Sequence, residues 1–242
     1  LYLPFLTEGI NENTISNWPA FVDRQNFVTI GNFLHEPNCD SVVFLKEEIW
    51  PIIRKSLPGV EMHIYGAYPM QKITQLNNPK EGFVVKGRAE DAFQVMRTSR
   101  VCLAPLRFGA GLKGKLLDAM LCGTPSVTTS IGAEAMHGKL AWNGIIADKA
   151  EDIAAAAIKL YTDQSSWMLA QTNGIKIVNE CFLKEKYASE FLSRIDEMKE
   201  HLTDHRNNNF IGGMLMHHTM ASTKFMSRWI EAKNLQPDQR GR

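Results

Sequence analysis

Charge of either sign is nearly absent as a net quantity. The 27 Lys and Arg residues stand against 26 Asp and Glu, leaving a formal charge of +1. A dedicated nucleic-acid binder carries a strong basic excess, so no nucleic-acid partner is expected. Cysteine is scarce: four in 242 residues, at positions 39, 102, 122 and 181. None forms a CxxC pair and three lie in apolar runs, which reads as reduced, buried thiols of a cytosolic protein. No run of about 18 apolar residues is present, so no membrane span is expected. No signal peptide is visible either. The expected location is cytoplasmic, free or peripheral to a membrane. Internal repeats and low-complexity tracts are absent.

What is present is a core-forming share of hydrophobic residues, 44%, and a regular alternation of apolar and helical runs. Strands are predicted at 27–31 (FVTIG), 61–66 (EMHIYG), 82–87 (GFVVKG), 101–105 (VCLAP), 125–129 (PSVTT) and 143–148 (NGIIAD). Between them, helices are predicted at 38–57, 89–99 and 112–122, with an alanine-rich one at 150–161. In the first, Val42, Val43, Leu45, Ile49, Ile52 and Ile53 recur at helical spacing, and Pro51 is expected to kink or end it. Strands that are apolar on both faces and alternate with helices form a parallel sheet covered on both sides. The expected fold is therefore α/β, a Rossmann-like six-stranded parallel sheet with helices on both faces. Helices follow it at 164–181, 183–202 and 210–233. The last carries a stripe of Met214, Leu215, His218, Ser222, Phe225, Met226, Trp229 and Ile230, the pattern of a core or protein contact.

In such sheets ligands bind at the carboxyl ends of the strands. Gly31, Gly66, Gly87 and Pro105 end predicted strands at that rim. The chemistry concentrates just beyond, in 107–125, RFGAGLKGKLLDAMLCGTP. A helix from Gly111 or Leu112 to Cys122 turns Leu112, Leu116, Leu117, Met120 and Leu121 to one broad face. Gly111, Gly114, Lys115, Asp118 and Cys122 fall on the other, with Lys115 and Asp118 neighbours at i, i+3. The helix follows the turn Gly109-Ala110-Gly111. Its unpaired first amides and its dipole favour an anion, here a diphosphate. Lys113 and Lys115 in the first turn oppose that dipole, and a bound anion explains them. Asp118 has the acceptors for two hydroxyls of a ribose or hexose. Arg107 stands at the mouth of the turn.

On four segments the chain resembles the C-terminal domain of GT-B glycosyltransferases, in the broad group of glycosyltransferase family 4. They are IGNFLHEPN, HIYGAYP, VVKGRAEDA and APLRFGAGLKGKLLDAMLCGTPSVTTSIGAEAM, and the likeness covers roughly residues 26–202. The last segment is the most specific. The resemblance implies a Glu-x7-Glu pair around the turn. Asp118 takes the place of the second, ribose-binding Glu, and Ala110 stands where the first would be. A related branch carries a Lys three residues before the acidic position, which Lys115 matches, placing it on a phosphate or the transferred sugar. The same resemblance puts Gly31 and Asn32 near the diphosphate or sugar, Gly66 in the loop after the second strand, Gly87 and Arg88 beside the base, and Glu134 facing the sugar. With Arg107, Gly111, Leu112, Lys113, Gly114, Lys115 and Asp118, these are the candidate donor-binding residues. His35 and His137 are read first as structural.

The implied activity is transfer of a sugar from a nucleoside diphosphate sugar, UDP- or GDP-linked, with retention. The sequence contains no Asp-x-Asp, so a metal-independent reaction is expected, with no cofactor beyond the donor itself. The chain opens on Leu1 and is read as a piece of a longer protein. Residues 1–26 are expected to be a linker from an N-terminal acceptor domain, 27–202 the donor domain, and 203–242 a helical extension. The catalytic residues of such an acceptor half are unknown. Two alternatives share the architecture: a nucleotide-sugar epimerase, and a non-catalytic nucleotide-sugar-binding module.

Overall fold

The computed structural model describes residues 1–68, 70–217 and 221–235. Six strands form one sheet: β1 (Gln25–Asn32), β2 (Met62–Ala67), β3 (Phe83–Gly87), β4 (Ser99–Ala104), β5 (Ser126–Thr128) and β6 (Gly144–Ile146). The order is β3-β2-β1-β4-β5-β6 and all five pairings are parallel. The Rossmann-like expectation holds. The chain reverses its direction of growth between β1 and β4, the place where open sheets of this kind leave a crevice.

Strand periodicity explains how both faces are covered. In β1, Phe27 faces one core cluster and the adjacent Val28 faces another. The Phe27 side receives α2 (Glu36–Phe44), α3 (Trp50–Ser56) and α8 (Ala150–Thr162), with Val42, Ile53, Ile153 and Ala157 buried against the sheet. The Val28 side receives α5 (Ala92–Thr98) and α6 (Gly114–Leu121), through Met96 and Ala119. A third cluster joins Leu116, Leu117 and Met120 of α6 to Ile177 at the end of α9 (Gln164–Ile177) and to Val178 and Phe182 beyond it. Short helices α4 (Gln71–Thr74) and α7 (Ser130–Ala133) fill connections between strands, and α1 (Glu12–Ser16) precedes β1.

The structure departs from the sequence expectation at Pro51, for a local reason. The helix expected to bend at Pro51 has a π-helical turn, Leu45–Ile49, just before α3 begins. Proline lacks an amide and crowds the preceding turn, and the wider turn absorbs both defects. Within residues 1–26, Ile10 is buried and Thr7 bridges to Leu183. The last expected helix, 210–233, is helical wherever it is described, as α12 (Phe210–His217) and α13 (Ala221–Leu235); His218 and the Ser222 side chain, placed in its stripe, lie outside the described residues.

The chain divides into two units, 1–187 and 188–242. The second contains most of α10 (Lys184–Glu200), then α11 (Leu202–Asn208), α12 and α13. In it Met214, Leu215, Phe225, Met226 and Ile230 are exposed. No helix among the described residues is long and apolar enough to cross a membrane.

Candidate functional site

The carboxyl ends of β1, β2 and β4 open into a cavity of about 450 Å³, within the range of small-molecule sites. Its walls come from five stretches of chain. Ile30, Gly31 and Asn32 end β1, and His35, Pro37 and Asn38 open α2. Gly66 and Ala67 end β2, and Arg88, Ala89 and Ala92 lead from β3 into α5. Leu106, the 108–110 turn and Leu112, Lys113, Gly114, Lys115 and Asp118 complete it.

The turn after β4 is held by glycine. Gly109 has φ +129° and Gly111 φ +75°, conformations that favour a residue without Cβ. That left-handed backbone continues into an extended Lys113, with φ −100° and ψ 93°. The helix therefore begins at Gly114, two or three residues later than its hydrophobic pattern suggests, and Lys113 is its N-cap. Lys113 is no mobile charge in a first helical turn. Its side chain is buried, its Nζ donates to the Gly111 carbonyl and its amide to Met136 Sδ. Cys122 is also relocated: it does not share a ligand face with Lys115 but is buried with Val28, Met96 and Cys102.

Lys115 and Asp118 do share the cavity, as their spacing implies. They are not an ion pair within 4.0 Å. Lys115 Nζ donates to Asn38 Oδ1 at 2.8 Å. The surrounding protein strips water from the ammonium and pushes its pKa down to about 8. This amounts to on the order of 3 kcal/mol held against the charged form. An anion entering the cavity would relieve it. Desolvation likewise raises the Asp118 carboxyl above its ordinary value. The first two amides of α6, on Gly114 and Lys115, have no intrahelical acceptor, as at any helix start, and the helix dipole adds positive potential there. Arg88, exposed on the rim, adds a guanidinium.

Of the candidate residues, Gly31, Asn32, Gly66, Arg88, Leu112, Lys113, Gly114, Lys115 and Asp118 line this one cavity. Four do not. Gly87 and Gly111 shape the adjoining turns. Arg107 is held away by a bidentate pair with Asp40, at 2.5 and 2.9 Å, and lies over the Phe44 ring at 4.8 Å. Glu134 lines a separate cavity of about 280 Å³ with Ser130, His137 and Gly138. Asn38 and Ala110 are wall residues that were absent from the candidate set, and His35 joins them although its sequence reading was structural. The Lys115 partner of Asn38 is 77 residues away, beyond the reach of any local sequence pattern. All four cysteines are free. Among the described residues there is no group of three or more His, Cys, Asp or Glu arranged for a metal ion.

The profile of the family described as glycosyl transferases group 1 matches residues 24–163, more than half of the chain. The protein belongs to that family. Its matched span contains the whole cavity wall. No curated protein sequence matches the chain. Among solved structures, TarM is similar with a TM-score of 0.60 at 17% identity over 71% of this chain and 35% of its own. A S. aureus TarM variant solved with UDP, fondaparinux and α-GlcNAc-glycerol gives 0.61 at 16% over 78% and 38%. The pneumococcal O-GlcNAc transferase GtfA, in complex with UDP and GlcNAc, gives 0.57 at 17% over 81% and 38%. At these identities the likeness is one of fold, that of the GT-B glycosyltransferases. This group 1 chain spans little more than a third of each of those proteins.

Proposed function

We propose that this group 1 glycosyltransferase chain binds a nucleoside diphosphate sugar, UDP- or GDP-linked, as the donor half of a sugar-transfer enzyme. The observation that carries the reading is the meeting of Lys115, Asp118 and the free amides of Gly114 and Lys115 in one cavity. A diphosphate over the start of α6 receives two amide hydrogens and the Lys115 ammonium. Asp118, one turn further along, accepts hydrogen bonds from ribose hydroxyls. Arg88, Ala89 and Ala92 frame the end of the cavity where a base would lie.

As the bond to the sugar breaks, negative charge grows on the departing diphosphate. Fixed amides and a lysine already in place stabilise that charge without reorganising. The reaction in this reading is metal-independent and retaining. A trehalose-6-phosphate synthase of the same fold, TM-score 0.58 and 12% identical, is described as transferring glycosyl groups with retention. The acceptor would be held by residues outside this chain, so binding of the donor, rather than turnover, is the property to measure. Calorimetry with UDP and with GDP tests the reading. Saturable binding of one or both, unchanged by EDTA, is expected; failure of both to bind would overturn it.

A further inference from the structure

Asn38 bonds on both sides of its amide. Its Nδ2 donates to the Asn32 carbonyl at 2.8 Å, and its Oδ1 accepts from Lys115 Nζ at 2.8 Å. A carbonyl only accepts and an ammonium only donates, so the two partners fix which way the amide points. The seat is tight. A Cβ on Gly31 would stand 2.9 Å from Asn38 Cγ and 3.0 Å from Nδ2. Glycine at 31 therefore makes room for Asn38 as well as for a ligand.

From this geometry we infer that Asn38 is a positioning residue: a neutral tether that aims the Lys115 ammonium into the cavity for the donor diphosphate. The inference deepens the donor-site reading and rests on it. Neutrality is the point. An ammonium has three donors; the amide uses one, and leaves two N–H groups and the full charge for a phosphate. A carboxylate at the same place would hold the lysine equally well but neutralise it. The charged and titratable groups around Lys115 leave that role open. Cys102 faces it from β4, with a thiol that burial keeps protonated. Asp118 is on its own helix, and Arg88, His35 and Lys113 share the cavity wall. Asp40, two residues on from Asn38 along α2, is occupied by Arg107.

The test compares wild type, Asn38→Ala, Asn38→Asp, Lys115→Met and the Asn38→Ala/Lys115→Met double variant, each confirmed to unfold cooperatively. UDP and GDP are titrated by calorimetry across about pH 7 to 9, and the Lys115 ammonium is followed by lysine NMR without ligand. Asn38→Ala is expected to weaken nucleotide binding about tenfold, as for a lost hydrogen bond to a charged group. In the Lys115→Met background it should have no further effect. Asn38→Asp should raise the Lys115 titration and weaken binding at neutral pH. Equal affinity of Asn38→Ala and wild type, or the same loss with and without Lys115, would overturn the inference. Absence of binding by wild type would overturn the donor-site reading and with it the ligand named here. An unmoved Lys115 titration in both Asn38 variants would overturn the tether alone.

Discussion

The two ends of α6 are built in opposite ways. At its start, the Gly114 and Lys115 amides lack intrahelical acceptors and the Lys115 ammonium, short of water, meets only a neutral amide. At its end, a buried cation is fully engaged by protein acceptors. The buried Arg24 guanidinium donates to the Cys122 carbonyl at 3.1 Å, to Thr124 Oγ1 at 2.7 Å and to the Pro19 carbonyl at 3.0 Å. It also stacks over Trp167 at 5.0 Å. Burial lowers its pKa to about 10, still far above neutrality. A cation at a helix C-terminus agrees with the dipole, whereas a cation at the N-terminus opposes it. Both cations are desolvated, but Arg24 is met by three protein acceptors, whereas Lys115 is met by one and has two donors to spare.

The comparison is broken most forcefully at Arg24. Replacing it by alanine leaves the Cys122 carbonyl without its charged donor and opens a void beside Trp167. A stability loss of about 3 kcal/mol in urea unfolding is expected, with UDP affinity well below the melting temperature unchanged. A tenfold loss of affinity there would show that the closed end also serves binding.

At the open end the signs reverse. Lys115→Ala is expected to weaken nucleoside diphosphate binding at least tenfold, about 1.4 kcal/mol, while leaving stability equal or higher, because a desolvated cation is removed. An unchanged dissociation constant would remove Lys115 from the site. Asp118→Asn sharpens the assignment one turn along: its affinity loss should be several-fold larger for UDP than for pyrophosphate. Equal losses would place Asp118 away from the ribose.

The smallest effect is pH dependence. The Lys115 pKa in the free protein is about 8, and a bound diphosphate raises it. Below pH 8 the ammonium is already formed; above it, binding must take up a proton. Affinity should therefore fall as pH rises through about 8. Stability of the free protein runs the other way. The folded pKa lies below the ordinary value of 10.5, so between the two the unfolded chain holds more protons and stability rises with pH. Both slopes should vanish in Lys115→Met.

Much of this architecture was legible without coordinates. The six predicted strands each contain or overlap the observed ones, because residues such as Phe27 and Val28 must be apolar on both sides of a covered sheet. Gly31 and Gly66, expected at one rim, are partners in the β1–β2 register. Less legible was the start of α6. The apolar stripe runs back to Leu112, and periodicity registers side chains rather than the backbone angles of Gly109 and Gly111. Arg107 shows the same limit. Its charge suits a phosphate, yet Asp40 binds it across 67 residues, a contact no local pattern contains.

By itself, then, the sequence determined the parallel sheet, the glycine turn after its fourth strand and the placing of Lys115 and Asp118 on one helix surface. These rest on periodicities and turn chemistry that act over a few residues. The tertiary structure alone decided which charges stay available. It withdrew Arg107 to Asp40, folded Lys113 onto its own loop, sent Glu134 to another cavity and brought Asn38 to Lys115. Availability depends on what lies within a few ångströms in space, and in a doubly wound sheet those neighbours come from strands and helices far apart along the chain.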